Sequence, residues 1–565
     1  MLALGWVAVT GLVARGQLRQ ATTEARQLRA QLAAGDLAAA QSSATALATH
    51  ARRAHQLTTG PAWSIAAAVP GAGGPLKVVR GLTLSLDDLG QHVLPPLVGA
   101  SQRLDPASLR RPDGSVDLAR IAQASPTLDA ANERVRAAAA AVAGLPHSWL
   151  APVDAARTDT LAQLNSVAAT VSSASVAAHV LPAMLGADRT QRYFVAFQNE
   201  SEARGTGGLP GAFAILQAQR GKLSFLRFES DQAIGHHSAD VDFGPAYQQL
   251  YAGAGTTTMY GNSNLSPHFP YAAQIWLSMW QQASGQRLDG AIAVDPSTLG
   301  YLLAVTGPAT LPDGSELTGG NIVELAQSTV YAKFPAGVAD NPQRRQYLLQ
   351  VAKAASAKIL DVHADTAALL RALGKAAGQR RVLVWSADPA IQARLAPSAI
   401  SGTIPVTSAP YVGLSVVNDG GNKLDYYLDR TLVWTRTGCG TIRTVQVAVT
   451  LTNNAPASGL SSYVTGRSDR HAYPVKPGDN RLEVSYLATG GALLRSVSVD
   501  GRPGTAGIGT EHGHPVYTVD LELPRGTART ILLTLTEPPG TGTPVVLRQP
   551  LVRPLDVRIA DAGCH

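Results

Sequence analysis

The sequence predicts a three-part chain: an all-α N-terminal stalk or bundle, a central α/β domain and a C-terminal all-β sandwich. Three observations predict it. Residues 15–185 are Ala-rich, with apolar positions at helical spacing and few strand signals. From Arg192 onward, short β-branched and aromatic runs alternate with helical stretches. From about Ile404 the pattern turns to period-two alternation broken by Gly, Pro and Asn, with no helical stretch.

The 565 residues suit roughly three to four domains, since domains run to about 150 residues. Charged residues make up 15% and apolar residues 45%, with a mean hydropathy of +0.03. That balance excludes a disordered chain and a polytopic membrane protein. Two cysteines exclude a disulfide-dense miniature scaffold and a four-cysteine zinc site. The net charge of +7 comes with 47 basic residues, of which only 8 are lysines. No basic run exceeds Arg380–Arg381 and aromatics are 5%, so the basic stripe and stacking platform of a nucleic-acid binder are missing.

Residues 1–14, MLALGWVAVTGLVA, are uncharged up to Arg15. They fall short of the roughly 20 residues that cross a bilayer and lack the basic leader of a signal sequence. Two readings stand: a partial membrane anchor leading into the stalk, or a buried helical turn. In the stalk, residues 17–57 read as a helical hairpin turning at Gly35-Asp36. Gly60-Pro61 and the run from Pro70 to Pro75 break the helices around Trp63. Further helices are predicted over about Val78–Leu104, Ala130–Ala143 and Val153–His179.

In the central part, residues 186–400, RYFVAFQN is a predicted strand that ends at a polar cluster. Two more strands flank Gln219–Lys222, with Gly221 in the turn. Helices follow at Pro270–Ser284, Asn321–Tyr331 and Gln343–Leu360, and the strands GAIAVDP and RVLVWS complete the set. In residues 401–565, YVGLSVVN, LDYYLDRTLVW, TVQVAVTLTN, YTVDLEL and TILLTLTE have the spacing of an immunoglobulin-like sandwich. Cys439 opens one of these runs and Cys564 is the penultimate residue. A bond between them would tie the C-terminus to its own domain, worth about 4–5 kcal/mol in the chain-entropy model, and would mark an exported body. The other reading is two unpaired buried thiols.

Two constellations could carry chemistry. The first is Asn199-Glu-Ser-Glu202-Ala-Arg204-Gly-Thr206-Gly207-Gly208, where polar residues and a glycine pair at a strand end let backbone approach a ligand. Arg204 suits a phosphate or carboxylate, and Glu202 suits holding Arg204, binding a cation or acting as a base. The bland alternative is a glycine turn with a surface ion pair. The second is Asp340-Asn-Pro-Gln-Arg344-Arg345-Gln346, opening a helix with Asp340 or Asn341 as N-cap. Arginines in a first helical turn oppose the macrodipole, which points to a nearby anion. The alternative is one solvated and one packed arginine. Asp231, His236, His237, Asp240 and Asp242 crowd one loop without a fixed metal spacing.

The segments RYFVAFQNESEARGTGG, LDGAIAVDPSTLGYLLAVTGPATLPDG and LTGGNIVELAQSTVYAKF with DNPQRRQYLLQVAKA strongly resemble the family called domain of unknown function 4012, over roughly residues 180–400. That resemblance implies a membrane-anchored, extracytoplasmic protein of the actinobacterial type of cell envelope. A more distant resemblance is to the LytR-CpsA-Psr phosphotransferases. YLLAVTGPATLP is similar to a strand and turn of theirs, and Asp340 with Arg345-Gln346 to their arginine-rich helix opening. The arginine spacing is compressed, the arginine-aspartate signature has no counterpart, and Pro308 stands where valine would follow their second glycine.

This second resemblance implies transfer of glycopolymers from polyprenyl-pyrophosphate carriers, with Mg²⁺. Glu202, Arg204, Arg344, Arg345 and Asp340 would be catalytic; Asn199, Thr206, Gly207, Gly208 and Gln346 would bind substrate; Glu202 would hold the metal. The partners expected are a lipid-linked glycan or envelope polymer and the membrane, and no nucleic acid. The rival expectation is non-catalytic binding of envelope glycan, polyprenyl phosphate or a partner protein.

Overall fold

The computed structural model describes residues 2–34, 36–360, 364–437, 440, 442–540 and 542–561. The chain forms two compact units, Met1–Arg189 with Gln219–Lys222, and Thr190–Ala218 with Leu223–His565.

The first unit is helical. Helix α1 (Leu2–Ala34) and α2 (Leu37–Thr58) form the expected hairpin, and the Asp36 side chain accepts a hydrogen bond from the Ala39 amide at 3.0 Å. Residues 2–14 run into α1 without a break. The short α3 (Pro61–Ala68) packs Trp63 inward, and its Nε1 donates to Thr10 Oγ1 at 2.8 Å. The single helix expected over Val78–Leu104 is two, α4 (Gly74–His92) and α5 (Leu94–Arg103), parted at Val93. Pro95 and Pro96 lack the N–H groups that would bond back across that junction, and a residue preceding proline disfavours α geometry. Helices α6 (Leu118–Ala143) and α7 (Ala151–Met184) exceed their expected lengths and pack as a long pair. Among the described residues one helix, α7, is long and apolar enough to cross a membrane.

The second unit holds a five-stranded mixed sheet and a strand-rich C-terminal region. The sheet comprises β1 (Gln191–Arg204), β2 (Gly207–Gln219), β3 (Lys222–Ser230), β4 (Gly290–Val294) and β5 (Val382–Ser386), in the order β3-β2-β1-β4-β5. β1 runs antiparallel to β2 and parallel to β4, and β4 is antiparallel to β5. Side chains alternate across the sheet. On one face Phe194, Phe213 and Ile215 pack on Trp276 and Met279 of α8 (Phe269–Ser284). On the other, Phe197 packs on Leu299 of α9 (Pro296–Thr306) and Val351 of α10 (Asn341–Ile359). The helix expected over Asn321–Tyr331 is interrupted by a π-helical turn at Leu325–Thr329, a distortion that recurs at functional sites.

In the C-terminal region a six-stranded and a five-stranded sheet pack through one apolar cluster. β6 (Tyr411–Asn418) lies in the smaller sheet; β7 (Leu428–Thr437), β8 (Arg443–Asn453) and β9 (Leu555–Asp561) lie in the larger. Val445, Val447, Val449 and Leu451 of β8 are buried at every second position, the pattern of a strand with one face on a core. β7 pairs antiparallel with β8 and parallel with β9. Cys439 and Cys564 lie outside the described residues.

Candidate functional site

The polar cluster that was expected to follow a strand is part of one. β1 continues through Arg204, with register shifts between Phe197 and Gln198 and between Asn199 and Ala203. Buried backbone there is accommodated because every charge finds a buried counter-charge. Arg204 Nη2 lies 2.8 Å from Glu202 Oε1, and Lys423 Nζ binds Glu202 Oε2. Arg204 also donates to the carbonyls of Gly261, Ala203 and Asn418, at 3.0, 2.9 and 3.3 Å. Burial acts to raise the Glu202 pKa, but Lys423 and Arg204 outweigh it and hold the carboxyl at about 2. Two residues earlier, Glu200 is fully buried and bonded to Gln327, and Arg381 bridges it at 2.7 Å to Asp295 at 2.6 Å. Burial and then the Asp295 charge push the Glu200 carboxyl well above its ordinary value, against the pull of Arg381.

These pairs join the mixed sheet to the C-terminal strands within the second unit. The Ala203 amide donates to Asp425 Oδ2 at 2.7 Å, and Gln549 Nε2 donates to the Arg204 carbonyl at 2.7 Å. Thr206 is buried and donates to Gln198 Oε1 at 3.0 Å. Gly207 sits at φ +143°, and a Cβ on Gly208 would lie 2.2 Å from the Asn199 carbonyl carbon. The glycine pair therefore admits a close approach of the chain to itself. A Mg²⁺ ion bound through Glu202 would have to displace Arg204 or Lys423, so these residues as arranged do not fit that metal. Among the described residues no group of three or more His, Cys, Asp or Glu is placed to hold a metal.

Beside this buried network lies a cavity of about 140 Å³, between β1 and β2 on one side and α9, the π-helical turn and α10 on the other. Phe197, Leu209, Leu299, Ile322, Leu348 and Val351 contribute its apolar wall. Its charged lining residues are three cations, Arg344, Arg345 and Lys423, and one acid, Asp231. Asn199 also lines it, donating to Tyr331 Oη at 2.6 Å while accepting from Ser201 Oγ at 2.6 Å.

The two arginines opening α10 differ. Arg344 is buried, caps the carbonyls of Phe334 and Gly337, donates to Asn341 Oδ1 at 2.6 Å and lies 3.7 Å from the Tyr463 ring centre. Its Nε has no hydrogen-bond partner, a deficit that buried donors rarely carry. Arg345 is partly exposed, with Nε 3.1 Å from Asp231 Oδ1. Asp340 occupies the N-cap position, but its side chain turns back to accept from the Ala336 amide at 2.6 Å. Neither Asp340 nor Gln346 lines the cavity, and neither do Glu202, Arg204, Thr206, Gly207 and Gly208. The structure thus brings Asn199, Arg344 and Arg345 together on one cavity and sets the remaining candidates behind or outside it.

Residues 188–331 match the family described as protein of unknown function (DUF4012). The match takes in β1 to β4, the π-helical turn and the cavity residues Asn199, Asp231 and Tyr331. No curated protein matches the chain.

Sequence reasoning passed over Lys423, Tyr463, Tyr331 and the Glu200–Arg381–Asp295 group. Lys423 and Tyr463 belong to stretches read only as sandwich and turns. Glu200 lies within the polar run that by composition reads as a loop, so no local signal marked its burial, which depends on distant partners.

Proposed function

We propose that this chain is a membrane-associated, extracytoplasmic envelope protein that binds the phosphate-bearing end of a polyprenyl carrier, without catalysing transfer. One observation carries the reading: an apolar cavity whose charged lining is three cations to one acid, with the Arg344 Nε donor left without a partner. Apolar cavities of roughly 150 Å³ accept a benzene-sized group. The cavity therefore suits the isoprene unit next to the phosphate, with the anionic headgroup on Arg345 and the remaining chain outside. Residues 1–14 serve as the membrane-proximal segment. The finer fold readings, a LytR-CpsA-Psr-like central domain and an immunoglobulin-like C-terminal sandwich, belong to this proposal.

Transfer from a polyprenyl pyrophosphate is the second reading, favoured by Arg344 and Arg345 opening the helix that lines the cavity. It loses support from Glu202 and Arg204, whose polar groups are engaged in buried bonds. The test is titration of the purified chain with a short-chain polyprenyl phosphate and with the matching uncharged polyprenol. Arg345→Ala should weaken phosphate binding about tenfold and polyprenol binding little, as loss of one charge-assisted contact implies. Ala352→Phe, which fills the cavity, should weaken both. Equal binding of the two ligands would remove the headgroup role. Mg²⁺-dependent phosphate release from a glycan-linked polyprenyl pyrophosphate, lost in Arg345→Ala, would establish the transfer reading instead.

A further inference from the structure

The helical unit carries a second apolar feature, at the end where α1 begins. Three segments meet there. The Trp63 side chain of α3 is bonded to Thr10 of α1, and its ring would lie 3.5 Å from a Cβ placed on Gly11. The loop before α7 is fixed to the α3–α4 turn by Trp149 Nε1, which donates to the Gly71 carbonyl at 3.0 Å. Val7, Thr10 and Ala14 turn inward. Trp6 and Val9 of α1 and Ile65 and Val69 of the α3 region are exposed, and Trp149 stands 69% exposed. Soluble proteins rarely gather large exposed apolar side chains from separate segments unless a partner covers them.

The charge around this end says what the partner is. Residues 1–23 and 37–86 contain no Asp or Glu, but contain Arg15, Arg19, Arg52, Arg53, Lys77 and Arg80. Exposed tryptophans on segments rich in arginine and lysine, with the one acid beside Trp149, Asp154, already held by the Ser148 amide and Arg157, match the interface of an anionic bilayer, where indole rings sit at headgroup depth and cations meet lipid phosphates. We propose that this end of the helical unit is a membrane-seating surface for anionic phospholipid, built from Trp6 and Val9 of α1, Ile65 with Val69, and Trp149. The surface goes beyond a tether by residues 1–14, since Ile65 and Trp149 lie far from that segment in the chain. It rests on the membrane-associated part of the proposed function and is independent of the polyprenyl cavity.

The full chain is floated with vesicles of phosphatidylcholine alone and of phosphatidylcholine with phosphatidylglycerol in equal parts. The parent should partition preferentially to the anionic vesicles. Ile65→Ser with Trp149→Ser, both at exposed positions, should lower that partition about tenfold while residues 1–14 are intact. Arg53→Glu with Lys77→Glu should abolish the preference for phosphatidylglycerol. Parental partition of the Ile65/Trp149 variant, or a retained lipid preference in the charge variant, would overturn the seating surface and leave the tether in place. Failure of the parent to float with either vesicle would overturn the membrane reading itself, whereas polyprenyl phosphate binding in detergent solution is unaffected by either result.

Discussion

Arg345 Nε stands 3.1 Å from Asp231 Oδ1 beside the apolar cavity, and the two side chains are 31% and 34% exposed. Burial raises the Asp231 pKa, and the guanidinium draws it back down. On the proposed reading, Asp231 competes with the ligand headgroup for Arg345. Asp231→Asn should free Arg345 and tighten polyprenyl phosphate binding several-fold, with polyprenol binding unchanged. Because the pair is partly solvated, its rupture should change folding stability by only about 0–1 kcal/mol. Calorimetric titration with both ligands separates these outcomes, and unchanged phosphate affinity in Asp231→Asn would detach the pair from ligand binding.

Arg381 is the cation on which two buried acids depend. Arg381→Ala would strand Glu200 and Asp295 and also remove the donor to the Leu551 carbonyl at 2.8 Å. Breaking one side of a buried ion pair costs about 3–5 kcal/mol. Glu200→Gln, which keeps hydrogen-bonding capacity without the charge, should cost only about 1 kcal/mol. Urea unfolding of the two variants measures the difference; equal costs would show that Arg381 acts through packing alone.

Stability should fall between mildly acidic and mildly alkaline solution. Glu511 is buried and accepts from Tyr251 Oη at 2.7 Å and from Ser266 Oγ. Burial raises its pKa from 4.5 to about 7, against the pull of those two hydroxyls. The folded state therefore holds a proton that the unfolded chain releases above about 4.5. The resulting stability is fully present below that pH and is lost as pH rises through about 7, amounting to about 3 kcal/mol for this group. Glu483 and Glu537, also raised by burial to about 7, act in the same direction. Unfolding free energies at pH 5 and pH 8 should differ by about 3 kcal/mol less in Glu511→Gln than in the parent. An identical pH slope in the variant would place the proton elsewhere.

The parallel register of β7 and β9 pairs Arg436 with Asp561. Cys439 and Cys564 each follow that pair by three positions. An extracytoplasmic location, as proposed, predicts a disulfide between them. Non-reducing peptide mass mapping should recover the linked pair, and reduction should cost about 4–5 kcal/mol of stability. Quantitative alkylation of both thiols without reductant would exclude the bond.

The order of the three structural classes was legible in the sequence because periodicity is a local property. Helical spacing, alternating strands and the Gly35-Asp36 turn need no knowledge of what lies opposite in the fold. The polar run from Asn199 to Arg204 was not legible in this way. By composition it looks like a solvated loop, and it is a strand only because Lys423, Asp425 and Gln549, more than 200 positions later, supply its buried partners.

The two arginines at the start of α10 show the same division. Their opposition to the helix dipole marked the site from the sequence alone. Which of them stays available was decided by the fold, because Arg344 is held by the carbonyls of Phe334 and Gly337 while Arg345 meets a single, partly exposed carboxylate. Backbone preference is written in neighbouring residues, whereas the burial of a charge depends on counter-charges that only long-range folding brings near.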